Sequence, residues 1–157
     1  MKKDTDVFFE AIRTGDKDRI KALMSINPQL VNEKDQRGFT PLILATYFEN
    51  EEVTNILLEN NADINAKDAS GNTALIGISF KGNLSLAITL LSNGANVNAV
   101  NNTGTTALVF ATQYNKKDIV KLLLEYKADK TLKDNDGKTA LDYAQAKGFD
   151  EIISLLK

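Results

Sequence analysis

The chain repeats itself every 33 residues, and no other feature restricts its architecture as much. "DQRGFTPL" at residue 35, "DASGNTAL" at 68, "NNTGTTAL" at 101 and "DNDGKTAL" at 134 are successive copies of one phrase. Asp35, Asp68, Asn101 and Asp134 share a register, as do Gly38, Gly71, Gly104 and Gly137, then Thr40, Thr73, Thr106 and Thr139. A second phrase keeps the same spacing: "NNADINAK" at 60, "NGANVNAV" at 93 and "YKADKTLK" at 126. A fixed period of this size marks an array in which each copy is one supersecondary unit.

Elementary rules give each unit a shape. Asp-x-x-Gly makes a turn, with the glycine free to take positive φ, and the following Thr is a helix N-cap. Pro41 sits at a first helical position, where its missing donor costs nothing. The spacing predicts a first helix of about nine residues, ending near Glu49, Gly82, Asn115 and Gly148. A second, amphipathic helix follows, carrying Val53, Ile56 and Leu57, then Leu86, Leu90 and Leu91, then Ile119, Leu122 and Leu123. Asn61 and Gly94 close it in the left-handed cap position. Helices below about 12 residues are marginal alone, so each unit must stack on its neighbours. The expected fold is all-α: a single-domain solenoid of about five helix-turn-helix units joined by β-hairpin-like turns. Its boundaries fall at 1–34, 35–67, 68–100, 101–133 and 134–157.

The phrases "GFTPLILAT" and "ADINAKD" closely resemble the ankyrin repeat, and the resemblance covers nearly the whole chain. It implies that "VFFEAIRTGDKDRIKALMSINPQLVNEKD" is an N-terminal capping repeat with one extra residue between its helices. It also implies that "KTALDYAQAKGFDEIISLLK" is the C-terminal cap, where Asp142 replaces the apolar Ile43, Ile76 and Val109 of inner units. Ankyrin repeats usually carry His at those three positions, so apolar packing must replace a polar link. Glu49 and Lys127 stand where the family has Gly, a left-handed strain of the order of 1 kcal/mol each.

The resemblance further implies a monomeric, non-enzymatic module that binds another protein on a concave wall of turn tips and inner helices. The contact positions transferred by register are Arg37 and Phe39 on the turn, then Tyr47, Phe48, Phe80, Lys81, Gln113 and Tyr114 at inner-helix ends. Lys34, Lys67, Val100 and Lys133 close the preceding hairpins. A regulatory or inhibitory subunit that blocks a partner enzyme would use the same wall.

The residues support such a wall independently. Tyr47 and Phe48 are adjacent, so one buried stripe does not easily take both. With Phe39, Phe80 and Tyr114 they form an aromatic ladder across units two to four. Tyr47 and Phe80 are expected to be its exposed members, with Phe48 and Tyr114 packing between inner helices. From Ala69 to Tyr114 the only charged residue is Lys81. Aromatic anchors in a charge-poor field are typical of interface centres.

Composition narrows the alternatives. The chain has no Cys and no His, which removes thiol nucleophiles, imidazole bases, disulfides and the usual zinc ligands together. No cofactor or metal site is expected. "KDNDGKT" at 133 lacks the ligands of a calcium loop, because Leu132 and Tyr143 stand at the required oxygen positions. A formal charge of −2 offers no basic footprint for nucleic acid or membrane. "MKKDTDVFF" has basic residues without a following apolar run, so it does not read as a signal peptide. Cytoplasmic residence is the default expectation, although a chain whose leader had been removed would read the same.

Overall fold

The computed structural model describes residues 3–157. Met1 and Lys2 of "MKKDTDVFF" lie outside them. Unit one contains α1 (Asp4–Thr14), α2 (Lys17–Ile26) and a 3-10 turn (Pro28–Asn32). The next three units are α3 (Pro41–Tyr47) with α4 (Glu51–Glu59), α5 (Ala74–Lys81) with α6 (Leu84–Ser92), and α7 (Ala107–Gln113) with α8 (Lys117–Glu125). Unit five is α9 (Ala140–Lys147) with α10 (Asp150–Leu156). The chain is an all-α solenoid. Odd-numbered helices form an inner row and even-numbered helices an outer row, with the inner row the more closely packed. Closer packing on one side bends such a stack toward that side.

The local signals act as their chemistry requires. Thr40, Thr73, Thr106 and Thr139 each accept the N–H three residues on, at 3.1 to 3.2 Å. Asp142 returns a bond to the Thr139 N–H, which completes a capping box and explains an acid in place of the inner aliphatics. Ile43, Ile76 and Val109 are buried, so apolar packing does fill those positions. The first helices run to seven or eight residues rather than nine, because the chain leaves helical geometry one or two residues before the left-handed hinge. Each turn is closed by a bond such as Asp35 N–H to the Phe39 carbonyl, 2.9 Å. The hairpins carry no strand among the described residues, only the antiparallel bridge between Val100 and Thr106.

Unit one departs from the sequence reading. Gly15 and Asp16 donate to Ile12 and Ala11 as Glu49 and Asn50 donate to Thr46 and Ala45, so the inter-helix hinges are equivalent and hold no insertion. The extra residue is taken up beyond the hinge. There α2 has 10 residues against nine in α4, and the Pro28–Asn32 turn replaces the left-handed cap seen at Asn61.

Glu49 and Lys127 do adopt left-handed backbone, with φ of 54° and 67°. Glu49 has a compensating role, since its Oε1 accepts from Asn83 Nδ2 of the next unit at 3.1 Å. Lys127 has none. Lys127→Gly is expected to raise the thermal midpoint by about 2 to 4 °C, corresponding to about 1 kcal/mol in a domain of this size. An unchanged or lower midpoint in a calorimetric scan would show the strain to be negligible.

Units are also stitched together by polar bonds at the same register. Asn32, Asn65 and Asn98 accept the N–H of Asp63, Asn96 and Asp129, each at 2.8 Å. Lys34 Nζ donates to the Lys67 carbonyl at 3.0 Å, and Lys67 Nζ to the Val100 carbonyl at 2.8 Å. These two lysines, placed by register among contact positions, thus bridge neighbouring hairpins.

Candidate functional site

The aromatic residues cluster at the C-terminal ends of the inner helices, and in unit two the turn residue Phe39 reaches Tyr47 there. Tyr47, Phe48, Phe80 and Tyr114 are 50%, 48%, 44% and 49% exposed. The expected difference between Tyr47 and Phe80 on one hand and Phe48 and Tyr114 on the other is therefore absent. Tyr47 ends α3 and Phe48 is its C-cap, so both lie where the chain is leaving the helix. They pack edge-on against each other, with centroids 5.3 Å apart.

The ladder is broken into two clusters. Phe39, Tyr47 and Phe48 form one, with Phe39 and Tyr47 at 6.3 Å. Phe80, Phe110 and Tyr114 form the other, with Phe80 and Tyr114 edge-to-face at 4.5 Å. Between them lies a cleft of about 210 Å³, bordered by Phe39, Ile43, Tyr47, Gly77, Phe80 and Lys81. Phe110 was missed by sequence reasoning. Its spacing from Tyr114 by one helical turn was the available signal.

Cations decorate the rings. The Arg37 guanidinium lies 4.4 Å from the Phe39 centroid while pairing with Asp35 at 3.0 Å. Lys81 Nζ sits 4.3 Å from the Tyr47 centroid and donates to the Tyr47 carbonyl at 2.6 Å. Lys147 repeats the arrangement one unit pair on, donating to the Gln113 carbonyl at 2.9 Å with its ammonium 6.0 Å from the Tyr114 ring. Lys81 therefore fixes one inner helix to the next and holds Tyr47 in place. Gln113 is half-buried and contributes its carbonyl to that same link.

A wider, open groove of about 1010 Å³ continues the wall toward unit one, past Phe9, Arg13, Arg37 and Phe48. The groups held away from their ordinary pKa are elsewhere: Lys17 with Glu52, Asp129, Asp142, and Asp134 with Tyr143. Among the described residues no group of three or more His, Cys, Asp or Glu is placed to hold a metal ion. Among the described residues no helix is long and apolar enough to cross a membrane.

In unit five the Tyr143 hydroxyl donates to Asp134 Oδ2. That bond, then burial, pushes the Tyr143 phenol up to about 12. Burial pushes Asp134 up, but the bonds from Tyr143 and from the Lys138 and Asp136 N–H groups outweigh it and hold the carboxyl below its usual range. A raised phenol pKa contributes stability that is complete below pH 10 and is lost as pH rises through about 12. Urea midpoints should therefore fall between pH 10 and 12 more steeply for the native chain than for Tyr143→Phe. Parallel curves would show that the bond contributes nothing.

A family model described as "Ankyrin repeats (3 copies)" matches residues 8–101 and again 75–157. Among curated proteins, the human "DNA-binding protein RFXANK" is 45% identical over 49 residues, covering 31% of this chain and 19% of that protein. The chain thus aligns with less than a fifth of this relative.

Proposed function

Since the chain belongs to the ankyrin-repeat family, whose members generally serve as protein–protein interaction modules, we propose that it is a non-enzymatic module binding a protein partner along its inner, concave wall. The observation that carries this is the run of four half-exposed aromatic side chains at the inner-helix ends. They lie beside a stretch in which Lys81 is the only charge. Large rigid rings lose little entropy on binding, and with Arg they concentrate interface energy. Arg37, Phe39, Tyr47, Phe48, Phe80, Lys81, Gln113 and Tyr114 are the proposed contact set, with Lys81 and Gln113 acting by holding the rings. Binding that blocks a partner enzyme would engage the same residues, and assaying a captured enzyme with and without this chain separates inhibition from scaffolding.

The relative's name carries DNA binding, but only a short stretch of it aligns with this chain. A net charge of −2 supplies little of the phosphate-neutralising surface that duplex binding needs.

Tyr47→Ala and Phe80→Ala should each weaken capture of the partner from the native host by more than about 1 kcal/mol, while leaving the unfolding midpoint nearly unchanged. If both variants instead lost several kcal/mol of stability with binding intact, the rings would be packing elements and the reading would fail.

A further inference from the structure

Units three and five differ at one pair of register positions. In unit five Tyr143 lies nine residues beyond Asp134, and its hydroxyl donates to Asp134 Oδ2. In unit three the same two positions hold Asp68 and Gly77. Asp68 Oδ1 accepts the N–H groups of Ser70 and Asn72, both at 2.9 Å, just as Asp134 Oδ1 accepts those of Asp136 and Lys138. The second side-chain atom is taken up in the other units. Arg37 donates to Asp35 Oδ2, and Asn101 Nδ2 donates to Asn72 Oδ1. Of the four turn residues Asp35, Asp68, Asn101 and Asp134, Asp68 is the one whose second side-chain atom, Oδ2, has no hydrogen-bond partner among the described residues, and Asp68 lines the cleft between the two aromatic clusters.

Gly77 has no backbone reason to be glycine. It lies inside α5 without positive φ, and a Cβ there would meet nothing within 4 Å. Glycine inside a helix weakens it. Units two, four and five carry Leu44, Phe110 and Tyr143 at this register, and unit one carries Glu10. The cleft is therefore the space that a ring at position 77 would fill, with the acceptor for its hydroxyl still in place.

We propose that this cleft receives a tyrosine side chain of the protein partner, its ring set between Tyr47 and Phe80 and its hydroxyl donating to Asp68 Oδ2. The proposal rests on the protein-binding reading above. The fit is steric, since a cavity of about 150 Å³ accommodates a benzene ring and this cleft measures about 210 Å³. It is electrostatic too. The half-buried Asp68 Oδ2 is free to accept from a partner's donor, whereas the Lys81 ammonium in the cleft wall disfavours a second cation, so a neutral phenol suits the site better than Arg or Lys.

The test titrates the ¹⁵N-labelled chain with N-acetyl-tyrosinamide and, separately, N-acetyl-phenylalaninamide, following the amide signals of Asp68, Gly77 and Phe80. The tyrosine derivative should bind about five-fold tighter or more, the value of one net hydrogen bond. Asp68→Asn should reduce that preference, because the charged acceptor becomes a neutral amide, without disturbing the turn, which Asn101 builds in unit four. Gly77→Tyr should supply the ring from within, abolish binding of both derivatives and raise the thermal midpoint. Equal affinity for the two derivatives, shifts that persist in Gly77→Tyr, or no shift at Gly77 would overturn the proposal. If Tyr47→Ala and Phe80→Ala lose partner capture while neither derivative binds, the protein-binding reading stands and this one falls.

Discussion

Leu90→Ala is expected to lower the unfolding free energy by about 3 to 4 kcal/mol and the thermal midpoint by roughly 10 °C. Leu90 is fully buried in α6, the outer helix of the central unit. Truncation there loses the transfer free energy of the side chain and leaves a void that units on both sides must tolerate. Leu156 is also buried, but it lies in α10, which has a neighbouring unit on one side only. Leu156→Ala should cost nearer 2 kcal/mol, with accelerated amide exchange confined to 140–157. Urea unfolding with far-UV detection measures both. A cost below about 1 kcal/mol for Leu90→Ala would mean that the units do not depend on one another for burial.

Gly71→Ala is expected to cost about 3 kcal/mol, against about 1 for Gly137→Ala. Both residues have left-handed backbone, with φ of +80° and +74°, so both substitutions incur the same conformational penalty. At Gly137 a Cβ would meet nothing within 4 Å. At Gly71 it would lie 2.5 Å from Asn102 Oδ1 and 2.8 Å from Asn102 N, in the next unit. Asn102 cannot yield freely, because its N–H donates to the Ser70 carbonyl at 3.0 Å and its Nδ2 to the Ala69 carbonyl at 2.9 Å. The difference between the two variants therefore isolates contact between consecutive turns. Equal losses in equilibrium unfolding would show that the turns touch without constraining each other.

The parts of the fold legible in the sequence are those set by a few residues acting on their own backbone. Thr40 and its three counterparts cap helices, and the turn glycines take positive φ, whatever lies next door. These signals recur at a fixed offset and survive variation elsewhere. What escaped was set by relations between units. Phe48 and Tyr114 are exposed rather than packed between inner helices because they lie past the ends of α3 and α7, where the chain has turned toward its hinge. Lys81, placed by register at a contact position, reaches the Tyr47 carbonyl one unit back, as Lys147 reaches that of Gln113. The cleft was the least accessible of all, because it is defined by a side chain that Gly77 lacks. A list of functional residue types points to groups that are present, whereas an opening between stacked helices appears only once neighbours are in place.

The polar stitches at Asn32, Asn65 and Asn98 all span 31 residues. Bringing together units one and two, two and three, or three and four thus closes a loop of the same modest length, with the same entropic cost. Loop-closure entropy therefore favours no one of these three pairs as the nucleus, and structure can spread from whichever docks first. Slowing one route by mutation redirects the chain through another, so folding rates should respond less to single lesions than equilibrium stability does.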